Sequence, residues 1–308
     1  MQRPAHAGLE ILGGLKRITF IVNPISGGKD KHKVLAAIGR HLDLSSFSFE
    51  VLQTQRAGDA TEMARASLSD FVVAVGGDGT VSEVAKGLLG SDKALGIIPC
   101  GSGDGLALHL GISRDPARAV KVLNGACTAR IDAGQMDGRP FFCTAGLGLD
   151  AAVSLDFARS ERRGLNTYIT TAWEDWRHRC PETYVVETDT ETWAGKALFV
   201  TVGNANQWGN EARIAPKASL CDGMLDVTVV QPFTTLEIPD LAARLMTGKA
   251  DTSRHVLTFR STRVHLHREH AGPAHYDGDP FEAGTDVDLG ILPGALRVLV
   301  PPSRLGRL

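Results

Sequence analysis

The sequence predicts an α/β domain built on a parallel sheet, followed by a mostly antiparallel, β-rich domain. Three observations carry that prediction. The first is Phe71-Val72-Val73-Ala74-Val75-Gly76-Gly77-Asp78-Gly79-Thr80, a short apolar run that ends in glycines and passes into a helical pattern through Val81, Val84, Ala85, Leu88 and Leu89. The second is the alternation of such runs with amphipathic stretches from Arg17 to Asn124. The third is a change of texture after Asn124, where short strands are punctuated by Asp137-Gly138, Asp222-Gly223 and Asp277-Gly278. The division falls at 1–127 and 128–308, with the last residues free to return to the first domain.

In order, Arg17 to Val22 is the first strand, and Asn23-Pro24-Ile25-Ser26-Gly27-Gly28 is its exit loop, since Pro24 forbids helix and the glycines permit a tight turn. Asp30 to His41 reads as a helix with Val34, Leu35 and Ile38 inward. Phe47 to Leu52 is the second strand, Thr54 follows it, and Gly58-Asp59-Ala60 opens a short helix to Leu68. After the glycine-ended strand comes Ala94 to Ile98, leading into Pro99-Cys100-Gly101-Ser102-Gly103-Asp104, and then a helix from Asp115 to Asn124. Ligands of parallel sheets sit at the strands' carboxyl ends. Asn23, Thr54, Asp78 and the loop Pro99–Asp104 all fall there.

The second half reads as strands at 129–136, 141–145, 184–188, 197–202, 225–230, 256–259, 263–267 and 297–300, with helices near 159–179 and 235–246. Leu165, Tyr168, Ile169, Ala172, Trp173 and Trp176 share one helical face. That stripe packs on the sheet or meets a membrane boundary, with Arg162, Arg163, Arg177 and Arg179 near acidic headgroups.

Composition removes several classes. A formal net charge of -2 and the lack of a basic run argue against nucleic acid as partner. Cys100, Cys127, Cys143, Cys180 and Cys221 are odd in number and scattered, which points to reduced thiols in the cytoplasm and no zinc site. The first fourteen residues lack the pattern of a signal peptide, and no apolar stretch is long enough to span a bilayer. His265, His267, His270 and His275 are read as surface residues.

A strand, a glycine turn and a helix aim bare backbone N–H groups at an anion, usually a phosphate. Asp78 then holds a cation or takes a proton, or else it only caps its helix. Asn23-Pro24-x-Ser26-Gly27-Gly28, Gly76-Gly77-Asp78-Gly79-Thr80, Pro99-x-Gly101-Ser102-Gly103, Gly146-x-Gly148-x-Asp150 and Asp277-Gly278-Asp279-Pro280 stand in one order. With that ordered set, from about Ile18 to Val300, the chain resembles the lipid kinases related to diacylglycerol, sphingosine and ceramide kinases.

The resemblance implies an NAD-kinase-like α/β domain, a C-terminal β-sandwich, and ATP-dependent, magnesium-assisted phosphoryl transfer to a lipid hydroxyl between them. By the same resemblance Asn23, Pro24, Ser26, Gly27, Gly28, Thr54, Gly76, Gly77, Gly79, Thr80, Gly101, Ser102 and Gly103 face nucleotide, with Arg162 and Arg163 reaching its phosphates. Asp78 and Asp279 are the catalytic acids, in roles that are open to exchange, and Asp78 is also a magnesium contact. Asp150 faces the acceptor headgroup beside Asp104. Asp222 and Asp226 hold a structural magnesium or merely shape a β-turn.

Two departures stand out. Asp104 occurs where Asn is usual, which requires a nearby cation. Asp279 replaces Glu in the late motif and reaches one methylene less far. Gly105-Leu106-Ala107 leans toward the sphingosine and ceramide kinases. The partners expected are a lipid at the inner membrane face, reached by peripheral contact, and a second copy in a homodimer. An NAD kinase or a non-catalytic nucleotide or lipid sensor is the competing reading.

Overall fold

Four parallel strands carry the first half of the chain in a computed structural model that describes residues 15–26, 31–159 and 181–308. They are β1 (Lys16–Val22), β2 (Phe47–Gln53), β3 (Phe71–Gly76) and β4 (Ala94–Pro99), in spatial order β2-β1-β3-β4. The apolar runs explain the position of β3 and β4, because Val72 to Val75 and Ala94 to Ile98 are buried and helices cover the sheet. The helices are α1 (Lys31–His41), α2 (Asp59–Ala66), α3 (Asp78–Leu88), the short α4 (Gly105–His109) and α5 (Pro116–Asn124). Pro116 opens α5, and Asp115 caps it by accepting from the Arg118 N–H at 2.8 Å. The chain leaves β1 toward β2 on one side and returns to β3 on the other. That reversal makes a switch point between the carboxyl ends of β1 and β3, where α/β sheets bind ligands.

The second half is a β-sandwich. Its elements are β5 (Cys127–Met136), β6 (Arg139–Phe141), β7 (Thr144–Gly148), α6 (Leu149–Arg159), β8 (Glu182–Thr188), β9 (Thr192–Ala197), β10 (Phe199–Gly203), β11 (Leu225–Val230), α7 (Ile238–Thr247), β12 (Val256–Ser261), β13 (Arg263–Arg268), β14 (Gly272–Tyr276), β15 (Asp279–Ala283) and β16 (Asp286–Val300). One antiparallel sheet runs β12-β11-β10-β7-β14-β15. The facing layer is β16-β13-β8-β9, with β5 and β6 attached. Between them lies an apolar core that includes Met136, Phe141, Leu147, Val186, Val200, Val227, Leu266 and Val287.

Two strands join the halves. β16 pairs with β13 near its start and lies parallel to β4 at Arg297 and Val298, so the chain's end returns to the first sheet. β5 follows β16 along both stretches, with a register shift between Leu292 and Leu296 where Pro293 and Gly294 interrupt the ladder. That interruption is why only Arg297 to Val300 reads as strand in sequence. β9, β14 and β15 are short and contain Gly or Pro, and none of them stands out from the sequence. α6 follows β7 directly, where the sequence reading had no helix, and the helix expected near 159–179 lies, beyond Arg159, outside the described residues. The Leu165–Trp176 stripe, with both of its packing readings, lies outside the described residues, as do Arg162, Arg163, Gly27 and Gly28.

Candidate active site

The loops after β1, β2, β3 and β4 are stitched together by backbone hydrogen bonds. The Asn23 N–H donates to Val75 O at 3.1 Å, Thr54 N–H to Val22 O at 3.0 Å, and Cys100 N–H to Gly76 O at 2.7 Å. Gly77 and Gly101 then meet face to face. A Cβ on Gly77 would stand 3.2 Å from the Gly101 Cα, and one on Gly101 would stand 2.9 Å from the Gly77 Cα. Only glycines allow the two loops this approach. Gly79 is exposed with open space where a side chain would be, and Ser102 is exposed as well. In the first loop Asn23 Oδ1 accepts from the Ile25 N–H at 3.1 Å, Ser26 Oγ donates to Asn23 O at 3.3 Å, and Lys31 Nζ donates to Ser26 O at 2.8 Å. The Thr80 hydroxyl is buried and has no hydrogen-bond partner among the described residues.

Asp78 is occupied. Its carboxylate accepts from the Asp104 N–H at 2.8 Å and from the Gly105 N–H at 2.7 Å, so it caps α4 and locks the second glycine loop onto the first. The reading of Asp78 as a plain cap of its own helix α3 is therefore corrected, because the capping is of a different helix. The cation that Asp104 needs is Arg114. Its Nε lies 3.3 Å from Asp104 Oδ2, and its Nη2 donates to Ser102 O and Gly103 O at 2.9 and 2.8 Å. The other Asp104 oxygen accepts from the Gly101 N–H at 2.8 Å. Asp104 thus holds the loop together from inside, buried at 3% exposure, and does not face an acceptor beside Asp150.

The turn after β14 contains a residue that the sequence reading passed over. Asp277 accepts from the N–H groups of Phe142 and Cys143 and from Ser82 Oγ, at distances from 2.7 to 3.1 Å. Ser82 lies on α3, one turn beyond Asp78, so Asp277 pins the sandwich to α3. Burial pushes its carboxyl up, against those hydrogen bonds and the nearby Lys86. Asp279 is exposed and lies 3.6 Å from Lys86 Nζ, which also sits 4.6 Å over the Tyr276 ring. The sequence placed Asp277 in the motif Asp277-Gly278-Asp279-Pro280 but gave a role only to Asp279.

Asp150 opens α6 with its side chain buried. Its Oδ2 accepts from Thr201 Oγ1 at 2.6 Å and lies 3.2 Å from His275 Nε2, while Oδ1 has no hydrogen-bond partner among the described residues. A Cβ on Gly146 would stand 2.2 Å from that carboxylate, which explains the first glycine of Gly146-x-Gly148-x-Asp150. His275 is a correction. It is buried, not on the surface, because β14 is an inner strand of its sheet. His265 and His267 do lie on the outside, facing Asp288 and Asp286.

Asp222 and Asp226 meet a side chain instead of an open cation site. Arg260 is opposite Asp226 across β11 and β12, and its guanidinium contacts Asp222 and lies 3.5 Å from Asp226. The structural-magnesium reading is corrected accordingly: a fixed positive charge already sits between the acids. Among the described residues no group of three or more His, Cys, Asp or Glu is arranged to hold a metal, and no helix is long and apolar enough to cross a membrane.

Residues 17–136 match the family described as diacylglycerol kinase catalytic domain, and residues 143–300 match the YegS C-terminal NAD kinase beta sandwich-like domain. The diacylglycerol kinase of Bacillus subtilis is 30% identical over 274 residues, 86% of this chain and 90% of that protein. The YegS-like lipid kinase of Klebsiella pneumoniae is 29% identical over 258 residues, 81% of this chain and 85% of that protein. A crystal structure of a diacylglycerol kinase from Bacillus anthracis superposes with a TM-score of 0.72 at 21% identity, covering 94% of this chain and 98% of that one. An NAD kinase from Archaeoglobus fulgidus in complex with ATP shares the fold at a TM-score of 0.53 and 14% identity, over 95% and 96% of the two chains. The lean of Gly105-Leu106-Ala107 toward sphingosine and ceramide kinases finds no support in these relatives.

Proposed function

Because the chain belongs to the diacylglycerol kinase and YegS family of lipid kinases, we propose that it transfers the γ-phosphate of ATP to the free hydroxyl of diacylglycerol or a similar neutral glycerolipid. The observation that carries the reading is the pair of interlocked glycine loops at the carboxyl ends of β3 and β4, joined through Asp277 to a sandwich that presents Asp150 with one carboxylate oxygen to spare.

Phosphoryl transfer asks for positioning and charge neutralisation more than covalent help. The backbone N–H groups and small side chains around Gly77, Gly79, Gly101 and Ser102 cradle the phosphates. The magnesium of the nucleotide would neutralise charge there, with Asp78 the carboxylate among the loops facing it. The acceptor hydroxyl donates to Asp150 Oδ1, and its oxygen bonds to the γ-phosphorus. The bond to the β–γ bridging oxygen breaks, ADP leaves with that electron pair, and the hydroxyl proton passes to Asp150 Oδ1, the oxygen that already holds it. Asp279 is exposed and carries the proton on to water, because both Asp78 oxygens are engaged by backbone donors. The lipid is reached by peripheral docking at the cytoplasmic face of a membrane.

The test is a panel of diacylglycerol, ceramide, sphingosine and NAD with γ-labelled ATP. The expected product is labelled phosphatidic acid. Labelled NADP and unlabelled lipid would replace this reading with the NAD kinase one.

A further inference from the structure

His275 makes contacts that its sequence context did not announce. It lies on β14 between Gly146 of β7 and Pro280 of β15, with 3% of its surface exposed. Nε2 faces Asp150 Oδ2 at 3.2 Å, and Nδ1 accepts from the Gly278 N–H at 3.4 Å. A carboxylate has no proton to give and an amide N–H needs an acceptor. One ring proton, on Nε2, therefore serves both contacts. Thr201 Oγ1 donates to the same Oδ2 at 2.6 Å. Two donors thus fix one oxygen of the carboxylate and leave Oδ1, buried and unpartnered among the described residues, as the acceptor on offer.

We propose that His275 is the positioning residue of the acceptor site: it orients Asp150 so that Oδ1 receives the lipid hydroxyl, and it ties that carboxylate to the Asp277-Gly278-Asp279 turn. The connection continues past the turn. Asp277 accepts from Ser82 on α3, so a hydrogen-bonded line runs from the acceptor carboxylate, across the domain junction, to the helix that Asp78 begins. The line holds acceptor and phosphate loops in one register, which in-line transfer requires. This inference rests on the reading of Asp150 as the acceptor carboxylate.

The two ring nitrogens are tested separately. In His275→Gln the amide nitrogen takes the place of Nε2 and still donates to Asp150. In His275→Asn the amide oxygen takes the place of Nδ1 and only the Gly278 contact survives. Steady-state kinetics with diacylglycerol in mixed micelles should give a lipid KM within about threefold of wild type for Gln. For Asn the lipid KM should rise about tenfold or more, the effect of one misplaced hydrogen bond. The ATP KM should stay within about twofold for both, a split that a general packing defect would not produce. A tenfold rise in lipid KM for Gln, or none for Asn, overturns the proposal. Should neither variant fold, imidazole nitrogen-15 shifts of the wild-type protein decide it: an Nε2–H tautomer is required, and an Nδ1–H tautomer overturns it. Asp150→Asn separates the two ideas. If it leaves the lipid KM unchanged, the acceptor reading itself is wrong. If it raises the lipid KM while both His275 variants behave as wild type, only the His275 proposal is lost.

Discussion

Replacing Asp277 measures what the junction between the two halves depends on. Its carboxylate serves three donors, the N–H groups of Phe142 and Cys143 and the Ser82 hydroxyl. Asp277→Ala strands all three in a partly buried place. A stranded buried donor costs about 1–3 kcal/mol. Taking the low end for partial solvent access, the loss is about 3–4 kcal/mol. For a chain of 308 residues that lowers the thermal midpoint by roughly 5–6 °C. Asp277→Asn should behave differently. Burial pushes the native carboxyl up, so a neutral side chain there escapes the desolvation that opposes the anion. The amide oxygen keeps one backbone donor and the amide nitrogen can turn to Ser82 Oγ, leaving a loss of about 1 kcal/mol. The sign with pH follows. A raised acid contributes stability that is full below the ordinary carboxylate pKa and lost as pH rises through the folded value. Asn removes that slope and Ala removes it along with the contacts. Thermal unfolding across pH, with hydrogen exchange at Phe142 and Cys143, reads all of this. An Ala variant that melts within about 1 °C of wild type, with those two amides still protected, would refute the reasoning.

Other residues separate support from chemistry. Asp78→Ala should lower both the thermal midpoint and turnover, since it strands the Asp104 and Gly105 N–H groups at a cost of about 2–4 kcal/mol; unchanged stability beside lost activity would make Asp78 a purely chemical residue. Asp279→Asn should cut kcat by about a hundredfold or more with little change in melting, because the side chain is exposed and its ion pair is with Lys86; near-normal kcat would take Asp279 out of the proton's path. Asp226 is pushed up to about 6, first by burial and then by Asp222, against Arg260. Its contribution is full below about pH 4 and lost as pH rises through about 6. Asp226→Asn should therefore gain on wild type by on the order of 1–3 kcal/mol between those values in a melting series; parallel curves would contradict this.

The first domain was legible because its signals are local. Apolar runs, glycine turns and one amphipathic period at a time are enough to order β1 to β4 and to place Asn23, Thr54, Asp78 and Gly101 at one edge. The sandwich was legible in texture and not in pairing. β9, β14 and β15 carry Gly195, Gly272, Pro273 and Pro280, and their strand character comes from neighbours distant in sequence. The same reason hid the second half of the site. Asp277 and His275 are defined by partners more than a hundred residues away, Phe142, Cys143 and Asp150. The substitution at Asp104 posed the right question, a charge in need of a cation. Its answer, Arg114, lies ten residues on, past α4, at a spacing that no motif marks.

The most direct test of the account is transfer of label from γ-labelled ATP to diacylglycerol in mixed micelles by the wild-type protein and by Asp150→Asn. The account predicts labelled phosphatidic acid from the wild type and a much higher lipid requirement, at unaltered ATP KM, from the variant. A folded wild-type protein that binds ATP yet labels no lipid, or a variant that matches it on every lipid, would contradict the account.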